Sequence, residues 1–164
     1  MNLKLDNTLF DTLISQAQQS PRKRSHYNLH NDLDEPVQRL CIALLKGTYV
    51  CPHHHPQGNK WELMLALKGE VSLIIFDEKG TVLEKHTLCP GESLSGMELQ
   101  PNTWHTVIPL TDSAIILEVK QGPYTPAQET DFAPWAPSEG NKQSKQLLHW
   151  LESAGIGDKF KPLN

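Results

Sequence analysis

The chain has little of what marks a secreted, membrane-bound or nucleic-acid-binding protein. Its 164 residues contain only three cysteines, Cys41, Cys51 and Cys89, an odd number without framework spacing. A disulfide scaffold is therefore excluded, and a reducing, cytoplasmic setting is expected. No apolar run reaches the ~18 residues of a membrane span, so no membrane partner is expected. Asp6 and Asp11 fall where a signal peptide needs its apolar centre. Positive charge is not in surplus either: 15 Lys+Arg stand against 19 Asp+Glu, a formal charge of -4. Without a positive field, phosphate-backbone binding lacks its main driving force, and no nucleic-acid partner is expected. Helix-length periodicity is missing from the middle of the chain, which disfavours alternating strands and helices.

What is present reads in three parts of a single domain spanning 1–164. In residues 1–20, Leu5, Leu9, Leu13 and Ile14 recur at helical spacing before Ser20-Pro21, with Asp6 or Asn7 as the cap. Residues 21–120 hold the runs VQRLCIALLKG, ELMLALKGEVSLIIFDEKG, TVLEKHTLCPGESL, TWHTVIPLTDS and AIILEVKQGP, separated by glycine-containing turns. Such strands predict an all-β architecture, a small antiparallel β-barrel or jelly roll. Residues 121–164 begin with four prolines among the aromatics Tyr124, Phe132 and Trp135, an extended arm expected to be pinned to the barrel by those rings. A short helix follows, with Leu147, Leu148 and Leu151 inward and Gly155 as its stop.

The segment Cys51-Pro52-His53-His54-His55 carries the chemistry. In an extended chain His53 and His55 share one face and His54 the other. Glu62 opens the following strand, and His105 in TWHTV can supply a further imidazole. Three imidazoles and a carboxylate suit a divalent transition metal (Zn, Fe, Mn or Ni) with a position left open. Cys51 has the parity of the two histidines and reads either as a thiol ligand or as a small apolar side chain.

Around these ligands the sequence resembles the cupin superfamily. Its first motif is met at Gly47, His53, His55, Glu62 and Gly69, with Gln57-Gly58 as a loop insertion, and its second loosely around Pro101-Asn102-Thr103-Trp104-His105. Asn102 stands where the motif has glycine, a place that Asn tolerates better than most residues. The segments SPRKRSHYNLH, PVQRL, HPQGNKWE, TWHTV, LEVKQGPY and DFAPWAP look like the WbuC-family cupin fold metalloproteins. That resemblance implies a cytoplasmic metalloprotein linked to surface-polysaccharide biosynthesis, and the wider cupin likeness implies a homodimer.

Three further features bear on function. Arg22, Arg24, His26, Asn28 and His30 share one parity, and their face suits either an anionic small molecule or a solvated sheet edge balanced by Asp32, Asp34 and Glu35. Glu118 alternates with Ile116 and reads either as a general base, if Ile116 faces inward, or as a rim glutamate paired with a lysine. Tyr49 has the parity of the histidines and is expected to present its hydroxyl at the pocket mouth. The expected site is therefore metal on His53, His55, Glu62 and His105, substrate on Arg24, His26, Asn28 and Tyr49, and catalysis by Glu118. The expected function is isomerisation or epimerisation of a sugar or sugar nucleotide. An Fe(II)-dependent dioxygenase and a non-catalytic metal- and ligand-binding module are the alternatives.

Overall fold

A computed structural model describes residues 2–161; of the expected 1–164 span, residue 1 and residues 162–164 lie outside the described residues. Among the described residues, eight strands form two antiparallel sheets. The larger has the order β1(Arg24–Asn28), β2(Val37–Leu45), β8(Ser113–Gln121), β3(Glu62–Lys68), β6(Gly96–Leu99). The smaller has the order β5(Val82–Leu88), β4(Val71–Phe76), β7(Trp104–Pro109). Crossing of chain-distant strands within each sheet makes this a jelly roll, the all-β cupin architecture expected above.

Side-chain alternation assigns each sheet an inner and an outer face. Inward go Leu44, Met64, Ala66 and Ile116 from the larger sheet and Leu73, Ile75 and Val107 from the smaller, forming one apolar cluster between them. Each outer face is then covered by a helix. Helix α1(Asn7–Gln19) lays Phe10, Leu13 and Ala17 over Cys41, Ala43 and Ile115. Helix α2(Ser144–Ser153) lays Leu147 and Leu151 over Ile74, Phe76 and Ile108. β4 is consequently buried at all six positions, whereas β1, an edge strand, is half-buried to exposed.

Local chemistry explains the ends. Asp6 caps α1 by accepting from the Leu9 amide. Leu5 stands before that cap and is exposed, so the apolar stripe begins at Leu9, not at Leu5. The C-terminus of α2 is closed from β5: the Lys85 ammonium donates to the carbonyls of Leu151 (2.9 Å), Glu152 (3.2 Å) and Ala154 (2.9 Å). The stop expected at Gly155 is therefore made one residue earlier, at Ala154, with a side chain from another element. Between β3 and β4, Gly69 takes a φ of 69° with the backbone of Ser113 packed against its Cα, a place without room for a side chain. The short strand β6 has no counterpart in the expected runs. Its only buried residue is Leu99, which leaves too little alternation to read.

The arm is ordered, but two of its three aromatics do not pin it. Trp135 packs on Phe76, ring centroids 5.0 Å apart, while Tyr124 and Phe132 stay 49% and 41% exposed. The arm lies across the barrel mouth instead, bonded to the histidine segment by the Ala133 amide on the Pro52 carbonyl and the His54 amide on the Asp131 carbonyl.

Candidate metal centre

Backbone pairing brings the histidines together. His53 is not part of a strand; it forms an isolated bridge with His105 of β7, each amide donating to the other's carbonyl at 3.0 and 2.9 Å. The two rings lie 4.4 Å apart. His55 follows on the same face and holds the Asn102 amide with its carbonyl at 3.0 Å. Asn102 has φ 64°, so the glycine position of the second motif is met by the residue expected to tolerate it. His54 points the other way and stacks on Trp104 at 3.8 Å between centroids.

Glu62, the first residue of β3, reaches the same point from the other sheet. The ligand atoms of His53, His55, Glu62 and His105 all lie within 4.8 Å of one another, and the insertion at Gln57-Gly58 does not disturb this. Glu62 Oε2 sits 3.3 Å from His55 Nε2 and 3.1 Å from His105 Nε2. These three buried atoms have no hydrogen-bond partner. Such spacings match ligand-to-ligand edges of a coordination shell, about 3.0–3.4 Å for bonds of about 2.1 Å. The opposite ring nitrogens are already committed: His53 Nδ1 donates to the Cys51 carbonyl at 3.0 Å and His105 Nδ1 to the Thr103 carbonyl at 2.8 Å. A carbonyl can only accept, so each Nδ1 carries the hydrogen and each Nε2 offers a lone pair inward. Buried, otherwise unpartnered donors of this kind fit a divalent metal.

The electrostatics of His53 and Glu62 agree. Burial above all, with the neighbouring His105 and His55, lowers the His53 pKa to about 3, so its imidazole is neutral and free to coordinate. Burial alone would raise Glu62, but His105, His55 and Lys120 hold it well below the usual carboxylate range. Burial likewise works to lower His105, and the Glu62 carboxylate more than offsets it.

Cys51 is absent from the cluster. It is buried beside Tyr49 among the residues under α2, with Sγ 3.7 Å from the Pro137 carbonyl, and burial raises its pKa. The apolar reading of this cysteine holds. Tyr49 departs from expectation: its hydroxyl donates to the Pro137 carbonyl at 2.6 Å and it lines neither cavity beside the site. The arm captures this hydroxyl, which parity along the strand could not foresee.

Two adjoining cavities reach the cluster. The inner one, about 540 Å³, lies between the sheets and is bordered by His53. Arg24, His26 and Asn28 of β1 line it, as do Glu118 and Ile116. The outer one, about 1210 Å³, lies between the barrel mouth and the arm.

Lys120, two residues beyond Glu118 on the same face, is the lysine partner that the sequence allowed for Glu118 without identifying it. Its ammonium is 2.5 Å from Glu118 and 3.9 Å from Glu62. Burial and the Glu62 charge push Glu118 up to about 7 despite Lys120. Burial would lower Lys120, but Glu118 and Glu62 raise it. The polar face of β1 is also changed from expectation: Arg22 and Arg24 hold Glu139 of the arm at 2.8 and 2.9 Å. The counter-charge comes from there, while Glu35 pairs with Arg39.

A family model described as a domain of unknown function (DUF6016) matches residues 5–88. No curated protein matches the chain. Among solved structures the chain is similar to the TT1209 protein of Thermus thermophilus, with TM-score 0.54, 23% identity, and coverage of 74% of this chain and 97% of that one. It is similar to KdgF from Halomonas sp., with TM-score 0.50, 16% identity, and coverage of 65% and 84%. An RmlC-like cupin family protein with a double-stranded β-helix fold from Methanocaldococcus jannaschii aligns at TM-score 0.46 and 20% identity, covering 63% and 84%. At these identities the likeness is one of fold.

Proposed function

We propose, from the premise that this chain belongs to the family described as a domain of unknown function (DUF6016), that it is a metal-dependent cupin enzyme acting on a small sugar-derived molecule. The observation that carries this reading is the convergence of three imidazoles and one carboxylate, with unpartnered inward atoms, beside a cavity that also holds a paired acid and base.

His53, His55, Glu62 and His105 hold the metal, one of Zn, Fe, Mn or Ni. A divalent ion there supplies Lewis acidity toward a carbonyl or hydroxyl oxygen of the substrate. Glu118 takes a proton from the substrate carbon beside the polarised carbonyl and returns it to the carbonyl carbon, while the hydroxyl proton passes to the former carbonyl oxygen, the net change of an isomerisation. An epimerisation instead needs a proton returned to the opposite face of the same carbon. Lys120, 2.5 Å away, holds that carboxylate in place and balances its charge. Arg24, His26 and Asn28 contact the substrate from the β1 wall. The arm keeps bulk water from the outer mouth.

The sugar comes from the WbuC-like segments, which also support a place in surface-polysaccharide biosynthesis. The three free cysteines suit a cytoplasmic setting. The homodimer belongs to the same reading, and the edge strand β1 is an element through which a second copy can pair. None of the helices among the described residues is long and apolar enough to cross a membrane.

The test is elemental analysis of protein purified without added metal, followed by NMR of nucleotide sugars and sugar acids incubated with it. The expected result is about one transition metal per chain, turnover of at least one sugar, and loss of turnover in Glu118→Gln at unchanged metal content. A protein that takes up none of the four metals overturns the reading. Bound iron with oxygen consumption replaces it with the dioxygenase, and bound metal without turnover replaces it with the binding module.

A further inference from the structure

His30 is only 6% exposed, yet its Nε2 has no hydrogen-bond partner, and the residue borders the inner cavity. Its tautomer follows from the backbone. His30 Nδ1 lies 3.0 Å from both the amide and the carbonyl of Arg39. That carbonyl already accepts from the Leu29 amide at 2.8 Å, whereas the Arg39 amide has Nδ1 as its partner. An amide N–H can only donate, so Nδ1 accepts and Nε2 carries the hydrogen. A fixed N–H donor therefore stands unmet in the cavity wall, at a cost in free energy unless something accepts from it.

Part of the cavity lining is of another character. Beside the polar Arg24, His26, Asn28, Glu118 and Lys120, the residues Ile42, Leu44, Met64, Val107 and Ile116 line it from the apolar cluster between the sheets. Hydroxyls turned toward those apolar side chains would be buried without partners. An apolar body ending in one acceptor oxygen matches both those side chains and the donor.

We propose that His30 is the inner anchor of the substrate site, its Nε2–H donating to an oxygen of a ligand whose buried portion is apolar: a carboxylate or carbonyl carried on an aryl or alkyl group, or a sugar derivative bearing such a substituent. This rests on the reading that the inner cavity is the substrate site, and it narrows the substrate class.

The test uses the full chain, metal-loaded and chelator-stripped, with phenylacetate as probe and acetate and glucuronate as comparisons. Long-range ¹H–¹⁵N spectra of the histidine rings read the tautomer directly and follow His30 during titration. The expected result is an Nε2–H tautomer for His30, a shift of its ring resonances on adding phenylacetate, and affinity about tenfold or more above that for acetate, the difference a buried phenyl group makes. His30→Phe should weaken phenylacetate binding about two- to tenfold, as loss of one hydrogen bond does, while His30→Gln, which keeps an inward N–H, should retain most of it. An Nδ1–H tautomer, an unmoved His30, equal affinity in His30→Phe, or glucuronate binding tighter than phenylacetate overturns the proposal. The tautomer and titration arms on the wild-type chain need no variant to fold. A probe that moves His30 in protein unable to hold metal leaves the anchor standing while the enzyme reading falls. Protein that loads metal but ignores the probe does the reverse.

Discussion

Glu62 Oε2 and His105 Nε2 lie 3.1 Å apart although Glu62 opens a strand of the five-stranded sheet and His105 belongs to the three-stranded one. The candidate centre thus bridges the two layers of the barrel at its mouth. An ion bound there ties the sheets together, and its binding free energy adds to the stability of the fold.

Metal removal is the first consequence. Binding confined to the folded state stabilises it by about 2.7 kcal/mol at a free metal concentration of about a hundred times Kd. A chelator should lower the Tm of the wild-type chain, and the double variant His53→Ala/His55→Ala should show no such drop. The variant should keep its far-UV circular dichroism while elemental analysis finds no metal. Retention of wild-type stoichiometry would sink the assignment.

The turn leading into β7 and His105 depends on backbone conformation. Asn102 holds φ 64°, and placing an ordinary L side chain there costs about 1–2 kcal/mol. Asn102→Ala should be destabilised by about that amount in urea unfolding, and Asn102→Gly should be at or above wild-type stability. Equal stability of the alanine and glycine variants would argue that the turn relaxes.

The arm's anchorage should respond to pH. Burial of Glu139 works to raise its pKa, but the guanidiniums of Arg22 and Arg24 outweigh it and hold the carboxyl below its ordinary 4.5. A folded-state value below the unfolded one contributes stability that is present above pH 4.5 and lost as pH falls through the lowered value. Wild type should therefore exceed Glu139→Gln in stability at neutral pH, with the difference closing in acid. Comparing the two chains cancels protonation elsewhere, including at the histidines. Hydrogen exchange across residues 121–141 should be faster in Glu139→Gln at about pH 7, and identical exchange would mean the pair does not hold the arm.

Covering the outer face of the smaller sheet is the work of α2. Leu147 and Leu151 are fully buried against Ile74, Phe76 and Ile108. Leu151→Ala should cost about 2–5 kcal/mol. Leu148→Ala, only partly buried on the same helix, should cost less in parallel denaturant titrations.

Alternation and turn residues in the chain were enough to determine most of the strands, the two helices and the shared face of His53 and His55, and to pair the direction of Glu118 with that of Ile116; the short strand β6 was not legible. These are local properties, set by the two-residue period of extended backbone and by Gly and Asn at positive φ. Parity also placed Arg24, His26 and Asn28 on a common face correctly. Tertiary structure decided what stands opposite each face. That Glu139 neutralises Arg22 and Arg24, that Pro137 captures the Tyr49 hydroxyl, and that Lys85 closes α2 all depend on segments dozens of residues away. Periodicity tells which way a side chain points; only the packing of the arm and helices onto the barrel selects its partner, because no local rule couples residues so far apart along the chain.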